Sequence, residues 1–137
     1  MKNAFILSAL GAIAVVSLLA SGAFGIEAFK KEFDNKYVKK DPASDTEKAF
    51  AIAANKAKCA VCHVGKTKKV RNEYGKALDE LLDRKTDAKN TAKIQDALEK
   101  VAGMKSNSKD ASSPTFGELI EQGKLPGGEV TATTGAE

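Results

Sequence analysis

The residues best suited to chemistry stand together in the five-residue run Cys59-Ala60-Val61-Cys62-His63, which holds both cysteines and the single histidine of the sequence. Two thiols three positions apart can each form a thioether with one of the two vinyl groups of a porphyrin. The histidine after the second thiol is then held under the ring, where its imidazole can bind the iron. The spacing therefore predicts covalent attachment of one haem by Cys59 and Cys62, with His63 as an iron ligand.

Three other chemistries use the same residue types, and each lacks something in this chain. A structural zinc site normally takes four Cys or His ligands, so zinc would need a carboxylate or a second chain here. A thioredoxin-type redox pair expects a βαβ context, and the sequence has no strand pattern. A plain disulfide would leave His63 without a role. A non-haem metal-binding or thiol protein stays open as the alternative.

Residues 1–25 have the composition of a secretory signal. Lys2 is the one early charge, and residues 4–20 carry none. Cleavage after Ala23 or after Gly25 fits the small residues around both positions. An uncleaved anchor helix is the alternative, although an apolar stretch of this length is at the short end of what spans a bilayer. We therefore expect an exported, periplasmic protein with no stable membrane span after cleavage.

The rest of the chain is expected to form one haem domain over residues 26–126, followed by a small, polar, disordered tail over residues 127–137. The whole chain has 22 basic and 18 acidic residues, a formal charge of +4. Loss of Lys2 and addition of two haem propionates would bring this charge close to neutral. No basic tract with interleaved aromatics is present, which argues against nucleic acid as a partner.

Basic side chains flank the predicted haem motif on both sides, with no acidic residue among them: Lys56, Lys58, Lys66, Lys68, Lys69 and Arg71. One interpretation is an ordinary solvated basic face. The other is a surface around the haem edge that attracts acidic redox proteins, an effect that salt weakens.

Hydrophobic periodicity predicts helices throughout and no strand. The expected ranges are 27–40, 45–58, 73–83, 87–102 and a short helix that restarts at Ser113-Pro114 and ends at Gly123. Ser44 with Glu47 has the pattern of a capping box, and Asn72 and Thr86 are candidate caps for the third and fourth helices. The second helix is expected to run directly into Cys59 and thereby to fix the direction of the motif.

A helix ending in CAVCH, further helices, a methionine 41 residues beyond the histidine and a short final helix resemble a small monohaem c-type cytochrome. The resemblance implies an all-α fold of four to five helices wrapped around one covalently bound haem. It implies Cys59 and Cys62 as thioether anchors, His63 as the proximal iron ligand and Met104 as the distal one. Met104 stands before a very polar loop, which is not the usual position of the distal methionine in this family. The alternatives for the distal ligand therefore stay open: a lysine, Tyr74, a ligand from another chain or an open sixth position.

The leading functional prediction is a periplasmic electron carrier, not an enzyme, that cycles between Fe(II) and Fe(III) and exchanges electrons with redox proteins, acidic ones among them. The alternative is a haem protein that binds a small gas such as NO or CO, or the haem subunit of a multi-subunit oxidoreductase. Residues 58–78 and 114–128 also resemble a subgroup of small cytochromes that form dimers, so a dimer is among the expected oligomeric states.

Overall fold

The computed structural model describes residues 24–65 and 68–130. Within these ranges the chain is mostly helical, with α1 (Phe24–Tyr37), α2 (Asp45–Ala57), α3 (Glu73–Leu81), α4 (Thr91–Ala102) and α5 (Phe116–Glu121). A short 3₁₀ helix, Lys58–Val61, follows α2 directly. The described residues form no strand, and two isolated antiparallel bridges join His63 to Arg71 and Lys105 to Thr115. The prediction of an all-α chain is confirmed.

The two predicted end segments fall largely outside the described residues. Of the predicted signal, only Phe24 and Gly25 are described, as the first residues of α1. Of the predicted tail, residues 127–130 are described, and Gly127 is half-buried. Across the two described ranges, no helix has both the length and the apolar character that crossing a membrane requires.

A connected set of aromatic rings forms the centre of the core and joins four helices. Phe33 of α1 lies 6.2 Å from Phe50 of α2 and 5.9 Å from Tyr74 of α3, measured between ring centroids. Tyr74 in turn lies 5.2 Å from Phe116 of α5 with the rings at a steep angle, a favoured geometry for aromatic pairs. The remaining helix, α4, contributes an apolar stripe, as the spacing of its sequence predicts. All four residues of the stripe are buried: Ile94, Ala97, Leu98 and Val101.

The start of α2 is as predicted. The Ser44 hydroxyl accepts from the Glu47 amide at 3.2 Å, and the Glu47 carboxylate accepts from the Ser44 amide at 3.4 Å, which completes the capping box. The apolar spacing of α2 predicts one buried face made of Ala49, Phe50, Ala53 and Ala57. This is right for Phe50 and Ala57, whereas Ala53 is half-buried and Ala49 is exposed. Ala54 takes its place in the core with no measurable exposure.

The predicted start of α4 is wrong by four residues. Thr86 does not cap the helix, because its amide donates to the Asp83 carboxylate at 3.0 Å within a turn. The turn is fixed further by the Asp87 carboxylate, which accepts from the Asp83 amide at 2.8 Å. The cap is Asn90, whose side-chain oxygen accepts from the Lys93 amide at 3.0 Å. The chain thus uses its aspartates for a local turn before α4 begins.

The first turn of α3 packs directly on the backbone of the predicted haem motif. Gly75 is buried, and a Cβ atom built on it would collide with the carbonyl group of Cys62. A helix can approach another backbone this closely only where the side chain is a single hydrogen. Gly75 therefore sets the distance between α3 and Cys62.

Replacing Gly75 with alanine is expected to destabilise the protein by about 1–3 kcal/mol, the usual cost of overpacking. The added methyl group must push α3 away from Cys62, and this loss outweighs the gain in helix propensity. Urea unfolding of the variant measures the effect. The matched control is Gly103→Ala, because a Cβ there meets its nearest atom, the Lys100 carbonyl oxygen, at an ordinary 3.5 Å. Equal stability of the two variants would contradict the packing argument.

Candidate haem site

Cys59, Cys62 and His63 line a single cavity, as their predicted role requires. The cavity opens to solvent, and together with the open space at its mouth it comes to about 740 Å³. Its apolar walls come from Phe29 of α1, from Gly75 and Leu78 of α3, and from Leu82 directly after α3. Charged side chains complete the lining: Lys30, Lys58, Lys68, Arg71, Asp79 and Arg84.

A tight turn, and not a continuous helix, presents the motif. Helix α2 ends at Ala57, because Lys58 adopts a positive φ of 49°. Residues other than glycine rarely adopt a positive φ, so nothing in the sequence indicated a turn at Lys58. The prediction of a helix that runs directly into Cys59 is therefore wrong. After the turn, the amides of Cys62 and His63 both donate to the Cys59 carbonyl, at 3.2 and 3.0 Å. The 3₁₀ turn thereby brings both thiols and the imidazole to the same wall.

The imidazole of His63 is oriented by a backbone carbonyl. Its Nδ1 atom lies 3.3 Å from the carbonyl oxygen of Val70. Because a carbonyl oxygen only accepts, this bond places the ring proton on Nδ1 and leaves the lone pair on Nε2. Burial lowers the pKa of His63 below its ordinary value, and Arg71 and Lys68 act in the same direction against the Val70 hydrogen bond. A neutral, oriented imidazole is the form that binds a metal ion.

Burial shifts the pKa of two neighbouring groups, the Cys62 thiol and the Tyr74 hydroxyl. Burial raises the pKa of Cys62 to about 12, so its sulfur carries a proton at neutral pH. The hydroxyl of Tyr74 is fully buried and has no hydrogen-bond partner among the described residues. Burial raises the pKa of Tyr74 well above its ordinary value, and Cys62 is near enough to contribute. A buried hydroxyl left without a partner costs about 1–3 kcal/mol, and Tyr74 itself is not among the residues that line the cavity.

Asn72 ties the motif to α3, a role that its sequence position did not indicate beyond helix capping. Its Oδ1 atom accepts from the Gly75 amide at 2.9 Å, which confirms the predicted cap. Its Nδ2 atom donates to the carbonyls of Val61 at 3.0 Å and Ala60 at 3.3 Å, inside the motif. Its own amide donates to the Cys62 carbonyl at 3.1 Å. Gly127 closes over this side chain, since a Cβ there would collide with the Asn72 amide.

Met104 lies away from this cavity. It follows the C-terminal end of α4, its side chain is 39 % exposed, and it is not among the residues that line the cavity. Its amide donates to the Val101 carbonyl at 2.9 Å, and its carbonyl accepts from the Phe116 amide at 3.0 Å. The structure thus brings together three of the four predicted haem residues, and Met104 as the distal ligand stays a prediction.

Only some of the charged side chains around the cavity form ion pairs with other described residues. Arg71 binds Asp79 at 2.7 Å across the rim, and Lys30 binds Asp34 at 2.6 Å. Lys58, Lys68 and Arg84 form no ion pair with any other residue in the described part of the chain. The rim therefore presents an excess of positive charge, which suits a ligand or partner with carboxylate groups.

The residues present fit a covalently bound haem. Two free thiols three positions apart in the sequence, an imidazole with a free Nε2, apolar walls and a cationic rim for carboxylates share one cavity. Comparisons of the chain with protein-family models, with curated proteins and with solved structures find no match. The case for this site accordingly depends on the residues and their geometry.

Replacing Asn72 with alanine is expected to cost about 2–4 kcal/mol of stability, combining a lost helix cap of ~1 kcal/mol with buried carbonyl groups left unpaired at ~1–3 kcal/mol. Thermal or urea unfolding measures the loss. Asn90→Ala is the matched control, because Asn90 caps α4 at an exposed position and its cap bond is its one side-chain hydrogen bond among the described residues. Equal losses of stability in the two variants would show that the hydrogen bonds from Asn72 to the motif contribute nothing beyond the helix cap.

Proposed function

We propose that the chain is a c-type haem protein whose function is to carry single electrons. The observation that supports this most is the shared cavity of Cys59, Cys62 and His63, in which the Val70 carbonyl holds the imidazole with Nε2 free. Cys59 and Cys62 would hold the haem through thioethers, and His63 would bind its iron. Bound there, the haem supplies a reversible one-electron change between Fe(II) and Fe(III).

In this proposal the residues of the chain bind and orient the haem, and none of them acts on a substrate. The backbone bonds of the 3₁₀ turn fix the thiols, and the Val70 carbonyl fixes the imidazole plane. Leu78, Leu82 and Phe29 give the cavity its apolar lining and limit the access of water. A rigid, partly dry site of this kind keeps structural change between two oxidation states small, which suits an electron carrier.

We propose that the protein acts outside the cytoplasmic membrane, because the sequence predicts export and c-type haem is attached there. The proposed partners are redox proteins with an acidic face. The cations at the cavity mouth support this, because Lys58 and Lys68 are exposed and unpaired among the described residues. Attraction of this kind speeds association and falls with ionic strength.

Single replacements of Cys59 or Cys62 by alanine are expected to weaken covalent haem retention, and the double variant is expected to abolish it. The measurement is the fraction of haem that stays with the polypeptide after denaturation and acidic organic extraction. Met104→Ala serves as the control, because Met104 does not line the cavity, and it should retain haem fully. A double cysteine variant that keeps its haem through extraction would disprove the proposal.

A second candidate function is binding of a small gas such as NO or CO. The position of Met104 favours it, because the one methionine beyond the signal is partly exposed and lies away from the cavity. An iron held by His63 alone would have an open sixth position. Such a protein would bind gases at the same site that the electron carrier uses to exchange electrons.

Under this second candidate, the reduced protein is expected to bind carbon monoxide promptly, and Met104→Ala is expected to leave the rate within about twofold of the wild type. Absorption spectra of the oxidised, reduced and gas-treated protein give the answer. A low-spin, six-coordinate spectrum with a near-infrared band that Met104→Ala removes would exclude an open position. It would also establish Met104 as the distal ligand of an electron carrier.

A further inference from the structure

The last described residues of the chain, 125–130, called here the C-terminal strap, return to the haem motif. Pro126 is buried, and Leu125 packs against the hydrophobic core. The Gly128 amide donates to the Leu125 carbonyl at 3.1 Å, which folds the strap into a turn. The sequence predicts a disordered tail from residue 127 onward, and it therefore assigns this segment no role.

Gly127 of the strap lies directly on a hydrogen bond that supports the motif. A Cβ atom built on Gly127 would collide with the Asn72 side-chain amide and would come within 2.7 Å of the Val61 carbonyl oxygen. These two groups are the donor and the acceptor of one hydrogen bond, which joins Asn72 to the motif at 3.0 Å. The strap therefore packs on that bond, and only a residue without a side chain fits at this position.

The strap also borders a second cavity on another face of the predicted iron ligand. Among the described residues, His63 is the one that lines both this cavity and the proposed haem cavity. A bound haem would occupy the first cavity, so the second lies on a face of His63 that the haem leaves uncovered. Gly127, Gly128 and Glu129 of the strap line the second cavity. The strap thereby limits the access of water to this face of His63.

We propose that the C-terminal strap is a positioning element of the haem site, which shields His63 from water, holds Asn72 on the motif and thereby raises the reduction potential of the haem. This inference rests on the proposed haem function. The shell around a metal site controls the access of solvent and, through it, the potential of the metal. Water stabilises the oxidised iron, which carries one more positive charge, so a site that excludes water favours the reduced form.

Gly127→Ala tests this shield without changing any charge. The added methyl group must either lift the strap or push Asn72 from its place, because it does not fit beside the Asn72 amide and the Val61 carbonyl. The first movement uncovers His63. The second removes the two hydrogen bonds from Asn72 that hold the motif. Either movement lets water reach His63 more often.

The test measures, by NMR on the reduced, haem-loaded protein, how fast the His63 Nδ1 proton exchanges with water. Exchange reports local opening, and Gly127→Ala is expected to speed it by about tenfold or more and to lower the reduction potential. Gly117→Ala is the matched control, because its Cβ would press on the Ala102 carbonyl oxygen at 3.0 Å, outside both cavities, and should change neither quantity. Unchanged exchange or an unchanged potential in Gly127→Ala, or equal changes in both variants, would overturn the proposal.

Two truncations keep the test decisive if Gly127→Ala does not fold. A chain that ends at Lys124 lacks the strap, whereas a chain that ends at Val130 keeps it. We expect fast His63 exchange in the first and the exchange rate of the full chain in the second. Exchange alone is compared here, because the shorter chain also lacks the Glu129 carboxylate, whose charge acts on the potential.

The outcomes separate the strap from the haem function. Equal exchange in the two truncated proteins would overturn the role of the strap and leave the haem function standing. A full chain from which denaturation and organic extraction remove the haem would instead overturn the proposed function itself.

Discussion

The contact between the first turn of α3 and the backbone of Cys62 is the constraint on which the site depends. Gly75 allows the approach, and Asn72 holds it by bonding to both sides. Once α3 is fixed there, its helical repeat places Leu78 and Leu82 on the same face as Gly75, three and seven residues further on. The wall of the cavity is thus a consequence of one close backbone contact.

The same helix separates the cavity from the aromatic core. Tyr74 and Gly75 are neighbours in sequence, and consecutive residues of an α-helix point about 100° apart. Tyr74 therefore packs between Phe33 and Phe116, while Gly75 borders the cavity. The cost of this arrangement is the Tyr74 hydroxyl, which has no hydrogen-bond partner within the described part of the chain. A chain without tryptophan and with a core of small helices has little surplus stability, so a group that fills the cavity would contribute to the fold as well as to function.

Most of the fold was accessible from local sequence patterns. The stripe of Ile94, Ala97, Leu98 and Val101 and the capping box at Ser44 need only neighbours three or four positions away, and the structure has both. The start of α4 was misplaced, because the aspartates before it form a turn that competes with helix capping.

The chemistry of the site was predictable from the sequence, but the contacts that hold its residues in place were less so. The spacing of Cys59, Cys62 and His63 was sufficient to expect them on one wall. The bonds from Asn72 to residues 11 and 12 positions earlier, and the carbonyl of Val70 beneath His63, are tertiary contacts that no periodicity encodes. The positive φ of Lys58 was hidden for the same reason, since packing of the motif imposes a turn that lysine itself does not favour.

If a haem is bound as proposed, the identity of its sixth iron ligand would decide between the two proposed functions, and the structural changes that each ligand would require can be compared. Lysines 30, 58 and 68 line the cavity, but an amine must lose its proton to bind iron. Lys30 would also give up its 2.6 Å ion pair with Asp34. Met104 carries no such cost, yet reaching the cavity would break the bonds that its amide and carbonyl make with Val101 and Phe116. An open sixth position would require neither change, and this is the structural argument for keeping gas binding as the second proposed function.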